Sequence, residues 1–247
     1  MLPPAIEGQL RTALATSAGG FLRNPIRRAH VTCAVCTRPV ENRYSLCFRC
    51  KQHRMQSGTA DIIAPITYAA AQQQSGYVMH TYKARPPVTA SYHLVGMLTL
   101  FALSRHGTCV GELAGSPLTH WASVPSLPAK PGVHPLHHIA TRSGSVPRAE
   151  VRLTAAPKTS DPRALDASHF SADKDLPRDS HVLLLEDTWV KGGHMQSAAL
   201  SLRKAGAGRV SGLVVARWIS RDNAGFLDEL PDFDPDICPW TGAACPG

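Results

Sequence analysis

The chain has 247 residues, 43% of them hydrophobic, which is enough for one sizeable core plus a small accessory module and too apolar for wholesale disorder. Its net charge is +8, but residues 221–247 carry six acids against one arginine, a net of −5, which leaves +13 on residues 1–220. No apolar run approaches the ~18 residues of a membrane span, so no membrane partner is expected, and the basic body suits a polyanion such as a nucleotide, a sugar pyrophosphate or nucleic acid.

Residues 1–29 read as an N-terminal arm, with an amphipathic helix expected over about Ala5–Ala15 and a break at Ser17-Ala18-Gly19-Gly20. The start lacks a basic stretch followed by an apolar block, so no secretory leader is expected and the cytoplasm is the expected location. Residues 30–56 form a four-cysteine module. Cys33-x-x-Cys36 and Cys47-x-x-Cys50 are separated by ten residues. Each turn can aim two thiolates at one ion, and two turns complete a tetrahedron around Zn²⁺ at about 2.3 Å per sulfur. Two disulfides are the alternative, but nothing in the sequence points to an oxidising compartment. Four thiolates leave no open position, so the zinc is expected to be structural. His30 and His53 flank the module as substitute ligands. Arg38, Arg43, Arg49, Lys51 and Arg54 make it basic, which suits either nucleic-acid contact or a docking unit.

Residues 57–220 read as the main domain. DIIAPITYAA and YVMHTYK are expected strands of a hairpin, joined by the polar turn AQQQSG. Residues 88–106 have helical spacing, with Tyr92, Val95, Leu98, Phe101 and Ala102 on one face. Cys109 just beyond reads as a buried hydrophobe. A strand over Trp121–Val124 runs into a Pro-rich loop and a helix carrying His134, His137 and His138. His134 and His138 are four apart on one face, as a metal pair or as packed or solvated rings. Residues 142–180 are rich in Ser, Pro, Asp and Arg, with strands expected at Glu150–Leu153 and around Ala167–Phe170. The segment suits a mobile loop closing over a ligand or a surface insertion.

His181–Ala216 is the organising unit. The apolar run Val182–Leu185 ends in Glu186-Asp187. A loop with Gly192-Gly193 follows, then a helix over about His194–Ala205 and a second apolar run, Val210–Ala216. Strand, glycine loop, helix and strand make a βαβ unit, which needs a parallel sheet covered on both faces. A loop opening onto a helix N-terminus can hold a phosphate, and the carboxylates before it suit ribose hydroxyls or a shared cation. The expected fold class is therefore α/β, a mainly parallel central sheet flanked by helices with a small N-terminal zinc module. Residues 221–247 form an acidic tail expected to dock onto the basic body. Cys238 and Cys245 flank a Pro239–Gly242 turn, open to metal binding or to pairing.

HVLLLEDTWVKGGHMQSAALSLRKAGAGRV resembles the phosphoribosyl-pyrophosphate signature of type I phosphoribosyltransferases: an apolar strand, two acids, a short loop and a helix ending in A-G-A. With the four cysteines, the layout resembles the ComF-like branch over roughly residues 30–218. The resemblance implies that Glu186 and Asp187 anchor ribose hydroxyls and that Val190, Lys191, Gly192, Gly193 and His194 wrap the 5-phosphate. It puts Pro128 and Lys130 in the region facing pyrophosphate, Mg²⁺ on that pyrophosphate, and Tyr77, Tyr82 and Lys83 in a hood over the base or acceptor. Two departures stand out. Val190 and Lys191 replace the family's threonines, with His194 where a Thr or Ser is common, and HPLHH occupies the place of R-G-F-N-Q. The implied activity is transfer of a phosphoribosyl group with release of pyrophosphate. The alternative is a catalytically degenerate binder of a phosphoribosyl ligand or of nucleic acid.

Overall fold

The computed structural model describes residues 2–18 and 20–245, so Gly19 of the expected break and the last two residues of the tail lie outside it. In chain order the elements are α1 (Pro4–Ala18), α2 (Phe48–Arg54), β1 (Ile62–Ala70), α3 (Gln74–Thr81), α4 (Thr89–His106), α5 (Cys109–Ala114), β2 (His120–Ser123), α6 (Pro135–Ser143), β3 (Ala149–Glu150), β4 (Leu153–Ala155), β5 (Phe170–Ala172), β6 (His181–Trp189), α7 (Gly193–Lys204) and β7 (Arg209–Ile219). Short 3₁₀ turns cover Ala167–His169 and Arg221–Leu227.

The molecule is an α/β protein with a five-stranded sheet in the order β1-β7-β6-β2-β3, every pair parallel. Successive side chains of a strand point to opposite faces. Along β6, Leu183 and Leu185 join one core cluster and Val182 and Leu184 the other. The first face is covered by α1, α3, α4 and α6, the second by α7, the β4–β5 pair and the four-cysteine module. Burial on both faces is why β6 reads as an unbroken apolar run rather than an alternating one. Among the described residues, no helix is long and apolar enough to cross a membrane.

The expected hairpin over residues 61–83 does not form. β1 pairs with β7, 149 residues away at Ile62↔Ser211, and YVMHTYK falls in α3 and the turn after it. The residues bury with helical spacing: Val78, Met79 and Tyr82 face the core, while Tyr77 and His80 face out. Ser75 Oγ accepts from the Ala70 amide at 3.2 Å, and a Cβ on Gly76 would stand 2.1 Å from the Ala70 carbonyl oxygen, so the helix turns back tightly on the strand it follows. The expected strand Glu150–Leu153 is two strands. β3 ends at Glu150 on the edge of the main sheet, and β4 pairs antiparallel with β5 in a separate ribbon. Most of Ala167–Phe170 is a 3₁₀ turn capped by the Asp166 carboxylate, which accepts from the Ser168 amide at 2.7 Å.

The C-terminal segment folds back on the body. Asp236 pairs with Arg11 at 2.9 Å and Asp232 with Arg23 at 3.0 Å. Asn24 and Asp234 exchange two hydrogen bonds, and Phe233, Cys238 and Trp240 are buried in the same cluster as Leu14, Ala18 and Leu22.

Candidate functional site

β6 outruns β2 at its C-terminal end. The last β2–β6 pair is Ser123↔Leu185, whereas β6 continues beside β7 to Trp189↔Arg217. After β2 the chain crosses through α6 to β3 on one side, and after β6 it crosses through α7 to β7 on the other. The direction of winding reverses between these two strands, and a crevice opens there beyond the strand ends. Glu186 and Asp187 are the first β6 residues past the end of β2, so the sheet itself delivers both carboxyls to that crevice.

Alternation sends the two to opposite faces. Asp187 meets α3 and α6: Lys83 Nζ stands 2.6 Å and the Tyr82 hydroxyl 2.8 Å from its Oδ2, with His134 Nε2 at 3.6 Å. Burial alone would raise the Asp187 pKa, but the Lys83 charge, the His134 ring and the two hydrogen bonds outweigh it and hold the carboxyl below its ordinary range. Glu186 faces α7 instead. It is buried, the His194 ring stands beside it with Nδ1 4.0 Å from Oε1, and Oε2 has no hydrogen-bond partner among the described residues. Burial and then the Asp187 charge push its pKa well above the carboxylate range. Burial also lowers the pKa of His194, so at both groups burial favours the uncharged form.

The Val190–His194 loop lines a cavity of about 400 Å³ together with Glu186, Asp187, Thr188, Lys83 and Arg163. Gly192 has φ +81° and caps α7. A Cβ there would stand 2.2 Å from the Trp189 ring, and one on Gly193 would stand 2.2 Å from the Arg163 carbonyl oxygen. The space left by the two missing side chains is thus filled by an indole and a crossing backbone as well as facing the cleft. Segment 142–180 touches the cavity through Arg163, whereas Lys158 and Lys174 line neither this cavity nor its neighbour. Lys130 lines that adjoining cavity, of about 650 Å³, with Lys83, Arg85 and His134. Lys83 and His80 line both, so the two spaces share a cationic wall. The helix that was to present the three histidines is α6, but His134 is its N-cap and accepts from the Leu136 amide through Nδ1, while His138 is exposed. They do not converge on one point.

The sequence alone did not single out Arg217. It lies buried on β7, and its Nη1 donates to the carbonyls of Trp189 at 2.7 Å, Val190 at 3.1 Å and Trp218 at 2.5 Å. It therefore fixes the entry to the loop, and its charge also acts on Cys36 in the cysteine module. A lone arginine inside Val-Val-Ala-Arg-Trp-Ile was the available signal, since a buried guanidinium demands acceptors.

Cys33, Cys36, Cys47 and Cys50 come together with their sulfurs within 4.8 Å of one another. All four are free thiols, and Cys36 and Cys47 are 3.8 Å apart. The cluster is compatible with a metal ion. Neither His30 nor His53 belongs to it. It is docked on the sheet, with the Tyr68 hydroxyl of β1 donating to the Thr37 carbonyl at 2.7 Å. No protein-family model matches the chain, and no curated protein aligns with it.

Proposed function

We propose that the crevice binds a phosphoribosyl ligand of the phosphoribosyl-pyrophosphate type, and that the chain is a divergent ComF-like phosphoribosyltransferase. The observation that carries this reading is the wall of the cavity beyond β6: Glu186, Thr188 and His194 line it, and each keeps a buried polar atom, Glu186 Oε2, Thr188 Oγ1 and His194 Nε2, with no partner among the described residues. A buried polar group left unmatched costs about 1–3 kcal/mol, and sugar hydroxyls and phosphate oxygens are the partners this donor–acceptor mixture fits. The volume suits a ribose phosphate, because ligand pockets run from about 300 to 1,000 Å³. The α7 N-terminus and Lys191 face the 5-phosphate, and Lys130, Arg85 and Lys83 in the adjoining space face the pyrophosphate.

Mg²⁺ travels with the pyrophosphate in this reading, where it would offset negative charge on the leaving group. Asp187 is a poor resident ligand for it, since Lys83 already holds its Oδ2. The chain's own contribution is to orient the ribose and to neutralise the leaving group with fixed cations. The four-cysteine module holds Zn²⁺ as a folding unit. A tetrahedron with bonds of about 2.3 Å has edges of about 3.8 Å, which the Cys36–Cys47 separation matches.

One observation favours the alternative of a binder without turnover. Lys83 balances the Asp187 charge and, with Tyr82, occupies its Oδ2, so an incoming ribose meets only Oδ1 of a carboxylate that is already paired. Titrating phosphoribosyl pyrophosphate with Mg²⁺ into the protein, then assaying pyrophosphate release with bases and amines, separates the two. Binding with release supports the transferase, and binding without release supports the binder. Heat of binding that is absent in wild type, or unchanged in Glu186→Ala/Asp187→Ala, overturns both. Nucleic-acid affinity that falls steeply with salt would instead assign the exposed arginines and lysine of the cysteine module to phosphate contacts.

A further inference from the structure

A second set of metal-ligand side chains converges outside the cleft. His106 ends α4, Cys109 begins α5, and Cys238 and Cys245 come from the C-terminal segment, over 120 residues later. One ligand atom from each lies within 4.8 Å of the other three. His106 Nδ1 is 3.2 Å from Cys245 Sγ, and Cys109 Sγ is 3.4 Å from Cys245 Sγ. With Zn–S bonds of about 2.3 Å and Zn–N bonds of about 2.0–2.1 Å, a tetrahedron requires edges of about 3.5–3.8 Å. Those two separations are a few tenths of an ångström short of such edges, and the others are within 4.8 Å, so small side-chain adjustments suffice to seat an ion.

The surroundings orient each ligand. His106 is buried at 1% exposure, and its Nε2 meets the Pro235 carbonyl at 3.0 Å. A carbonyl accepts only, so the ring proton sits on Nε2 and the Nδ1 lone pair faces the sulfurs. The Phe101 ring packs edge-on against the imidazole at 6.2 Å. In the tail, the Cys238 amide donates to Ala243 O at 2.8 Å and the Gly242 amide to Cys238 O at 2.7 Å, with a bridge at Ile237↔Ala244. This tight turn brings Cys245 back beside Cys238.

We propose that His106, Cys109, Cys238 and Cys245 hold a second, structural zinc ion that clasps the C-terminal segment to the junction of α4 and α5. Three thiolates and one imidazole fill the tetrahedron and leave no open position, so the site stabilises rather than catalyses. A Cys109–Cys245 disulfide is the competing chemistry, but it would strand the buried Cys238 thiol and His106 Nδ1, whereas one ion satisfies all four. The proposal is independent of what the cleft binds.

The test is elemental analysis of the full-length chain, purified under reducing conditions and dialysed against metal-free buffer. Two zinc ions per chain are expected. Cys238→Ser and Cys36→Ser should each retain one, and the double variant none, so each site reports separately. A zinc content that Cys238→Ser leaves unchanged overturns the second site. Where that variant fails to fold, wild type still decides: after chelation and denaturation all seven cysteines should react as thiols. Reaction of five overturns the proposal, because it means a disulfide. Cobalt-loaded wild type should show thiolate charge-transfer absorbance for seven sulfurs, and absorbance for four likewise overturns it.

Discussion

Glu186 and Asp187 are adjacent in sequence, yet their carboxyls sit in opposite settings because a strand sends neighbours to opposite faces. This difference predicts a pH signature. The folded pKa of Asp187 lies below its unfolded value of about 3.9, so its stabilisation is full above that pH and drains as pH falls through the folded value. Glu186 runs the other way. Its folded pKa is raised above the unfolded value of about 4.3, so the native state keeps a proton that the unfolded chain releases, and stability falls as pH rises from there toward the folded pKa. Glu186→Gln removes only the second effect. Urea denaturation at pH 5 and pH 8 should show wild type losing stability over this interval relative to the variant. Parallel profiles would reject the assignment. Arg217 gives a second prediction at this scale. Arg217→Met leaves the Trp189, Val190 and Trp218 carbonyls without that donor, which should cost about 3 kcal/mol and quicken amide exchange in residues 189–193. A variant as stable as wild type, with an unaltered exchange pattern, would show that the loop does not depend on this arginine.

Among the elements, α7 and β7 were legible because their signals are local: helical spacing from Ala198 to Ala205, punctuating glycines, and an apolar run. The acidic pair at the end of β6 was legible for the same reason. What the sequence hid was non-local. Nothing in residues 61–83 announces that β1 will find β7 instead of its neighbour, and YVMHTYK has apolar residues consistent with either period. Gly212 was likewise hidden inside an apolar run. Its missing side chain is a notch for α7: a Cβ there would stand 2.3 Å from Met195 Sδ and 2.7 Å from Ile63 Cδ1. Gly212→Ala should therefore cost about 2 kcal/mol by overpacking, and Met195→Ala about 3 kcal/mol by leaving a cavity. Because the two fill one space, the double variant should cost about 1 kcal/mol less than the sum. Strict additivity in denaturant titrations would mean that α7 is not seated on β7 through this pair.

At the scale of the molecule, charge alone suggests that the acidic tail is an electrostatic cover for a basic body, whereas the contacts put its weight elsewhere. The Arg11–Asp236 pair has both side chains more than a third exposed, and such pairs are worth about 0–1 kcal/mol. Phe233 and Trp240 are buried at 6% and 4% exposure in the cluster that also holds Leu14 and Ala18 of α1. Burying large apolar side chains contributes about 1.5–3 kcal/mol each, so apolar packing exceeds charge here. Deleting residues 231–247 should then remove a large part of the ~5–15 kcal/mol typical of a native domain, and α1 should lose amide protection with it. Replacing Asp232, Asp234 and Asp236 together by Asn should cost only about 1–2 kcal/mol. Trp240→Ala, which keeps every cysteine and every acid, should cost about 3–5 kcal/mol and expose α1 to exchange as the deletion does. Thermal melts and amide exchange on these three variants decide the matter. If the triple Asn variant matches the deletion, and Trp240→Ala behaves like wild type, the segment is held by its charges and the apolar account of its docking fails.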